Sequence, residues 1–218
     1  NKLFFFLNGE YEEKSATLAY YTPAGGSGQG NVSSVSIDSL RVLSDYLKNT
    51  YKYDPGPYDN FNTDVPVKNH KYLGKIDWNI SDVHKLTIKY SDYQNTQTFL
   101  PSQSGGINGA NSQGALSLTY GPKFAPGSMA FGNVVYGQVD KVRSGSFDFK
   151  SNFHGKFANQ LLATITKINV DKQHAGAQFP FVDVAQNYPT LKNNYISFGN
   201  EPFNGNYNVV VNDVYTAT

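Results

Sequence analysis

The chain has 218 residues, of which 15% are aromatic and only 16% are charged. It has no cysteine, which excludes disulfide frameworks, thiolate nucleophiles and zinc sites built on cysteine. Its net charge of +1 argues against a general nucleic-acid binder, which needs a basic surface. The longest uninterrupted apolar run, Leu3 to Leu7, is far shorter than the roughly 20 residues of a membrane-spanning helix.

A mean hydropathy of −0.46 is low for a chain with so many aromatic residues. Disorder does not explain the combination, because disordered segments are poor in aromatic residues. Two classes of all-β protein fit. One is a soluble surface domain such as a sandwich, and the other is the wall of an outer-membrane barrel, where lipid-facing residues alternate with polar lumen-facing ones. Composition alone leaves both classes open.

The first predicted element is a strand over residues 2–13, with one apolar face and a second face that becomes acidic towards its end. Asn1 leads directly into this strand, without an initiator methionine or a signal peptide, so we expect the chain to be an internal fragment. Residues 22–34 are rich in glycine and serine and predict a loop. They contain no glycine motif of the kind that cradles phosphate.

Residues 36–49 predict the one convincing helix. Ser36 is a suitable N-cap, and Asn49 precedes a segment rich in proline and glycine that ends the helix. Apolar residues recur at steps of three and four and form one stripe, which consists of Ile37, Leu40, Leu43 and Leu47. We expect this short amphipathic helix to pack within a cluster of loops.

Two long hairpins follow. The first covers residues 71–93 with a tight turn at 81–84, and strict alternation of apolar and polar residues continues on both sides of the turn. The second covers residues 131–172 with a turn near 154–159. The apolar side switches after Ile165, which predicts either a bulge or the point at which the strand leaves the apolar layer.

Long polar segments separate these hairpins. Residues 96–128 and 173–204 predict long loops, and residues 206–216 predict a last strand. One end of the predicted sheet therefore carries tight turns and the other carries long connections. Outer-membrane barrels have this asymmetry, with short periplasmic turns and long extracellular loops. The pattern favours the barrel over the sandwich.

Aromatic residues cluster in the loop after the helix. The weak candidates for substrate binding are Tyr51, Tyr53, Tyr58 and Phe61. Aromatic rings beside asparagine and aspartate can stack on sugars or contact peptides. The alternative is that these rings pack the loop on its neighbours or belong to an interfacial aromatic girdle.

No pattern in the sequence predicts an enzyme, a metal site or a cofactor site. The histidines are scattered and lack metal-ligand spacing; they are His70, His84, His154 and His174. Glu10 and Glu12 share one strand face, where they form a charged strand end. Oxygen-bearing side chains follow the helix in an order unlike a calcium-binding EF-hand, and we interpret them as turn formers; they are Asp54, Asp59, Asn60 and Asp64.

Several stretches resemble the TonB-dependent outer-membrane receptors of Bacteroidota, of the SusC/Oar-like kind. The most specific is KYLGKIDWNISDVHKLTIKY (residues 71–90), which is similar to a hairpin of that family, with Lys75 where arginine is commoner. NKLFFFLNGEYEE (1–13) resembles a stretch early in the family's barrel, and YLKNTYKYDPGPYDNF (46–61) resembles the loop after it. FPFVDV and YISFGNEPFN resemble later extracellular-loop motifs.

The resemblance implies an antiparallel transmembrane β-barrel segment with long extracellular loops and one short loop helix. Residues 1–218 would be one partial barrel domain, contributing about six strands to a wall of about 22 in the bacterial outer membrane. The implied function is uptake of a large nutrient such as an oligosaccharide, a peptide or a chelate. The signal peptide, plug and C-terminal strands are expected outside this chain.

The partners that the resemblance implies are outer-membrane lipid, the TonB complex acting through the absent plug and, in some members, a surface lipoprotein. It implies no enzymatic activity, no cofactor and no nucleic acid. Two alternatives stay open. One is a soluble β-rich surface domain that binds carbohydrate or protein, and the other is a barrel that serves as a structural subunit of an outer-membrane complex.

Overall fold

We describe the fold from a computed structural model of the chain. The structure describes residues 2–17, 21–59, 64–101, 123–153, 155–186, 195–200 and 210–217. In chain order the elements are β1 (Leu3–Thr17), β2 (Tyr21–Ala24), β3 (Asn31–Ser36), α1 (Ile37–Tyr51), β4 (Asp64–Asn79), β5 (His84–Phe99), β6 (Met129–Ala130), the 3-10 turn η1 (Gly132–Val134), β7 (Tyr136–Asn152), β8 (Ala158–His174), β9 (Val182–Ala185), β10 (Tyr195–Phe198) and β11 (Val210–Ala217).

The long strands form one six-stranded antiparallel sheet in the order β1-β4-β5-β7-β8-β11. The prediction of a mostly antiparallel β fold with a single α-helix is confirmed for the described residues. Within those residues the sheet is open, with β1 and β11 as its outer strands. Two smaller sheets, β6-β10-β9 and the parallel pair β2-β3, lie in the connections.

The first predicted hairpin is confirmed as β4 and β5. The Ser81 hydroxyl accepts hydrogen bonds from the backbone N–H groups of Val83 (3.2 Å) and His84 (3.0 Å) and so closes the turn. β5 runs further than the sequence indicates, to Phe99, because its polar last residues pair with β7. The predicted loop over 96–128 is therefore wrong at its start.

The second hairpin is confirmed as β7 and β8, joined by a turn in which the rings of Phe153 and Phe157 stack at 4.2 Å. The pairing of β7 with β8 continues without a register shift, so the first alternative for the switch after Ile165, a bulge, is wrong. The second alternative, that the strand leaves the apolar layer at this point, stays a prediction. Ile165 and Ile168 stand three residues apart, and they therefore lie on opposite faces of a regular strand.

The helix α1 begins as predicted, because the Ser36 hydroxyl accepts a hydrogen bond from the N–H of Ser39 (3.1 Å). Leu40 and Leu47 of the predicted stripe are buried. The helix ends at Tyr51, two residues beyond the predicted Asn49, and Lys52 adopts a left-handed conformation (φ 55°) as its C-cap.

The connections are more ordered than their polar composition indicates. The predicted loop over 22–34 contains β2 and most of β3, and Ser33 and Val35 are both buried. The predicted loop over 173–204 contains β9 and β10. Both loop predictions are wrong in this respect, because these short strands depend on pairing with other segments and, for β10 with β6, with a distant one.

The buried core lies in the connections and not against the sheet. We call it the loop core; its members are Val35, Leu40, Leu47, Tyr53, Phe124, Met129, Ala130, Phe131, Val134, Val135, Ile196 and Phe198. They come from the three connections that join β1 to β4, β5 to β7, and β8 to β11. These connections leave the same end of the sheet, so the predicted asymmetry between its two ends is present among the described elements.

Backbone hydrogen bonds join the three connections. The N–H of Gly132 donates to the carbonyl of Pro57 (2.7 Å), and the N–H of Phe131 donates to the carbonyl of Ser197 (2.9 Å). Ser34 donates from its N–H to the carbonyl of Pro126 (2.6 Å). The described parts of the connections therefore fold as one body above one end of the sheet.

Candidate functional surface

One face of the sheet carries an apolar band. The register places its members in three adjacent rows across the six strands, close to the end with the tight turns. They are Leu3, Phe5, Leu7, Ile76, Trp78, Leu86, Ile88, Tyr90, Phe147, Phe149, Leu161, Ala163, Ile165, Tyr215 and Ala217. The band follows from the alternation in the sequence, because every second residue of a strand points to the same face.

The apolar band is exposed. Phe5 is 79% exposed and Leu7 is 77% exposed, and most of the other large apolar side chains of the band are also exposed. Soluble monomers rarely expose contiguous apolar patches larger than a few hundred Å². The described residues therefore present a surface that requires an apolar environment or a partner.

Aromatic side chains lie at both margins of the band. Tyr72, Tyr90 and Tyr215 lie on the side of the long connections. Trp78 and the stacked pair Phe153 and Phe157 lie on the side of the tight turns. Tyrosine and tryptophan prefer the boundary between an apolar layer and water, because their rings are apolar and their OH or NH groups are polar.

The opposite face of the sheet is mainly polar and carries a network of side-chain contacts. The hydroxyl of Thr87 donates to Asp77 (2.7 Å), which also accepts the ammonium of Lys75 (2.8 Å). On the neighbouring strands, the side-chain amide of Gln160 donates to Asp148 (2.9 Å). This face satisfies its own polar groups and is suited to contact with water.

Charged pairs mark the margin of the apolar band towards the long connections. Arg143 pairs with Asp92 (2.8 Å) on the same face as the band, and Lys68 pairs with Glu13 (3.2 Å) further along. The acidic strand end that the sequence indicates is on the polar face, where Glu10 pairs with Lys71 (3.4 Å). Such exposed pairs contribute little stability individually. They mark the edge at which the apolar band ends and the charged part of the same face begins.

Two of the aromatic candidates for substrate binding pack within the loop core. Tyr53 is 3% exposed and stacks on Phe179, with 4.0 Å between ring centroids. Tyr58 is half-buried and meets Phe131 edge to face at 5.6 Å. In this structure both rings pack against aromatic residues of the connections.

The other two candidates differ. Tyr51 is 56% exposed and contacts Tyr46 (5.8 Å) and Phe179 (6.1 Å) by its edge. Phe61 lies outside the described residues. Substrate binding by this aromatic group therefore stays a prediction, with Tyr51 as its accessible member.

The carboxylates after the helix make contacts within the loops. Asp59 accepts hydrogen bonds from the N–H (2.9 Å) and hydroxyl (2.7 Å) of Ser27, and Asp54 accepts from the N–H of Gly56 (3.0 Å). Among the described residues, no group of three histidine, aspartate or glutamate side chains is placed to hold a metal ion. Asn60, His154 and the side chain of Asp64 lie outside the description.

A buried ion pair in the connections has no counterpart among the sequence predictions. The ammonium of Lys123 lies 2.7 Å from a carboxylate oxygen of Asp183, and the two side chains are 3% and 7% exposed. Lys123 belongs to the connection before β7, and Asp183 belongs to β9 in the connection after β8. The segment around Asp183, Phe-Pro-Phe-Val-Asp-Val, is only half-buried as a whole, and its sequence does not indicate that the carboxylate is buried.

Tyr195 beside this pair gives a testable pH dependence. Burial, and then the negative charge of Asp183, raise the pKa of Tyr195 to about 12, above the value of 10.0 for a free tyrosine. Because the folded state holds this proton more tightly, the stabilisation is complete below pH 10 and is lost as the pH rises to about 12. We expect the ultraviolet signal of tyrosinate to contain a late-titrating component that becomes smaller by one group in Tyr195→Phe. Identical titrations of the two proteins would contradict this.

No helix in the described part of the chain is long and apolar enough to cross a membrane. The features that bear on function are the apolar band, the polar face behind it and the loop core at one end of the sheet. No family model, curated protein or solved structure matches the chain.

Proposed function

We propose that the chain forms part of the wall of a bacterial outer-membrane β-barrel of the TonB-dependent receptor kind, which imports a large nutrient. The observation that carries this proposal is the exposed apolar band on one face of an antiparallel sheet whose other face is mainly polar, apart from exposed side chains such as Phe4 and Phe6. In a barrel wall the band contacts lipid and the polar face lines the lumen. Lipid supplies the apolar environment that the described residues do not.

The two ends of the sheet support an orientation. Tight turns at 80–83 and 153–157 lie at one end, and the loop core lies at the other. Outer-membrane barrels place short turns in the periplasm and long loops outside the cell. In the proposed orientation the loop core is the extracellular part of the chain.

The outer strands of the sheet also fit the proposal. An unpaired strand edge cannot exist in lipid, because no water is there to satisfy its backbone groups. The proposal therefore requires further strands that pair with the free edges of β1 and β11 and close the wall. About six strands of a wall of about 22 is the share that the sequence resemblance implies.

Transport and its partners rest on the sequence resemblance of residues 71–90 and the other quoted stretches. They comprise a plug in the lumen, the TonB complex that acts through it, and a surface lipoprotein in some members. The nutrient is one that the extracellular loops recognise, an oligosaccharide, a peptide or a chelate. Tyr51 is the accessible aromatic ring from which to start a search for such contacts.

Trp78 provides the test, because it is the single tryptophan of the chain and lies in the apolar band. We expect the complete barrel that contains this chain, reconstituted in lipid vesicles with Trp78 as its single tryptophan, to show fluorescence that brominated acyl chains quench strongly and that a water-soluble quencher affects weakly. The physical reason is direct contact between the indole ring and lipid chains.

A matched variant moves the reporter to the polar face. In Trp78→Phe combined with Ser146→Trp, the indole lies beside Lys89 and Thr164 on the opposite side of the sheet. We expect brominated lipid to have little effect on it and the water-soluble quencher to have a larger one. If the two reporters respond equally to brominated lipid, the apolar band does not face lipid and the proposal fails.

The soluble-domain alternative makes a different prediction. It requires a cover for the apolar band and expects residues 1–218 to fold as a monomer without detergent. The barrel proposal expects aggregation under those conditions, because the band and two strand edges are open. A structural subunit would give the same Trp78 result as a transporter, and a nutrient-uptake assay on the complete receptor separates those two.

A further inference from the structure

The surroundings of Lys123 have the composition of an ammonium-binding pocket. The ammonium nitrogen lies 2.7 Å from Asp183, 4.7 Å from the ring centroid of Tyr195 and 5.2 Å from that of Phe181. The hydroxyl of Ser197 donates a hydrogen bond to the other carboxylate oxygen of Asp183. One carboxylate and two aromatic faces thus converge on a single positive charge.

Each part of this pocket favours a cation of the ammonium type. The carboxylate supplies charge and a hydrogen-bond acceptor, and the aromatic faces attract a cation through the negative potential above their rings. Burial strengthens both effects, since water does not screen them. The Ser197 hydroxyl holds the carboxylate, which leaves the oxygen nearest Lys123 available for the ammonium group.

The pocket is built by two separate connections. Phe181, Asp183, Tyr195 and Ser197 belong to the connection between β8 and β11, whereas the cation comes from the connection between β5 and β7. The carboxylate and the two rings thus come from one segment, and the ammonium group that they contact comes from another, which also pairs with β10 through β6. This is the arrangement of a receptor site occupied by a tethered ligand.

We propose that Phe181, Asp183 and Tyr195 form a binding pocket for a primary alkylammonium group, which Lys123 fills in this structure and for which a small alkylammonium ligand can compete. Stability alone is a weak explanation of the pair, because apolar packing often replaces a buried ion pair without loss. The proposal rests on the geometry of the loop core and is independent of the outer-membrane proposal.

The experiment empties the pocket with Lys123→Ala in the full chain and offers it n-butylammonium, which carries the same ammonium group on a carbon chain one methylene longer than the part removed. Hydrogen exchange of the amides of Phe131 and Asn200 reports on the loop core, because both amides donate to carbonyls across it. We expect Lys123→Ala to speed their exchange roughly a hundredfold, since it leaves a buried carboxylate unpaired. Millimolar n-butylammonium should restore most of the protection.

Controls separate recognition of the cation from simple filling of space. n-Butanol has a similar size without the charge, and tetramethylammonium has the charge without N–H donors, so both should restore much less. In Lys123→Ala combined with Asp183→Asn, n-butylammonium should have no effect. If Lys123→Ala does not fold, the yield of folded chain on refolding with each compound replaces the exchange measurement. No response of Lys123→Ala to n-butylammonium, or an equal response in the double variant that lacks the carboxylate, would overturn the proposal.

Discussion

Gly199→Ala is expected to unfold the loop core and to leave the six-stranded sheet paired. Gly199 follows β10 with φ +90°, a conformation that residues with a side chain rarely adopt. A Cβ at this position would overlap the carbonyl oxygen of Pro180 and lie 2.8 Å from the Cα of Phe181. Both contacts are with backbone, which cannot rotate away as a flexible side chain can.

The expected cost is about 3–5 kcal/mol, because backbone strain and a steric overlap act at the same residue. The overlap also affects the neighbouring pairing, in which the N–H of Asn200 donates to the carbonyl of Phe179 (3.0 Å). Hydrogen exchange should therefore show loss of protection in the loop core and retained protection in β4, β5, β7 and β8.

Gly155→Ala is the matched control. Gly155 also has a positive φ (+79°), but nothing lies within 4 Å of a Cβ built there. The cost should be about 1–2 kcal/mol from the left-handed backbone alone, and it should fall on the β7–β8 turn. Equal effects of the two substitutions would mean that the contact between Gly199 and Pro180 contributes nothing.

Ala163→Lys is expected to destabilise the complete barrel that contains this chain in lipid vesicles. Ala163 lies in the middle row of the apolar band, between Phe147 on β7 and Ala217 on β11. A lysine at the midplane of a lipid-facing barrel surface costs about 2–4 kcal/mol. Urea titration of the complete barrel in vesicles, followed by the emission of Trp78 as its single tryptophan, measures this cost.

The neighbouring residue supplies the control. Thr164 lies on the polar face between Ser146 and Thr216, so Thr164→Lys places the same charge one residue away on the other side of the sheet. We expect a change below about 0.5 kcal/mol, as for an ordinary surface substitution. Similar costs at the two positions would contradict a lipid-facing band and would favour a soluble domain.

Period-two alternation is a local signal, and it accounts for what the sequence predicts well. Residues 71–93 alternate without interruption, so the hairpin, its turn and the side of each residue follow directly. The end of β5 does not follow, because its last residues are polar and only the opposite strand keeps Phe99 extended, against Tyr136. The choice between a bulge and a regular strand after Ile165 also depends on the partner strand, because it is the pairing of β8 with β7 that excludes the bulge.

The loop core depends on contacts that no local pattern encodes. Tyr53 and Phe179 are far apart in the chain, yet their rings stack. Lys123 lies among glycine and proline residues that predict only a loop. Its ion pair with Asp183 follows only from the tertiary structure, in which β9 pairs with β10. The sequence therefore identifies the aromatic cluster after the helix. It does not predict that Tyr53 packs against Phe179, and it does not predict the ion pair of Lys123 with Asp183.

The division into tight turns and long connections also sets an order of folding. Within each hairpin, β4 with β5 and β7 with β8, pairing closes a short loop, which costs little chain entropy. Joining Thr17 to Asp64, or β11 to β8, requires closing a long connection first. We therefore expect the two hairpins to form early, and the pairings of β1 with β4, β5 with β7 and β11 with β8 to form later.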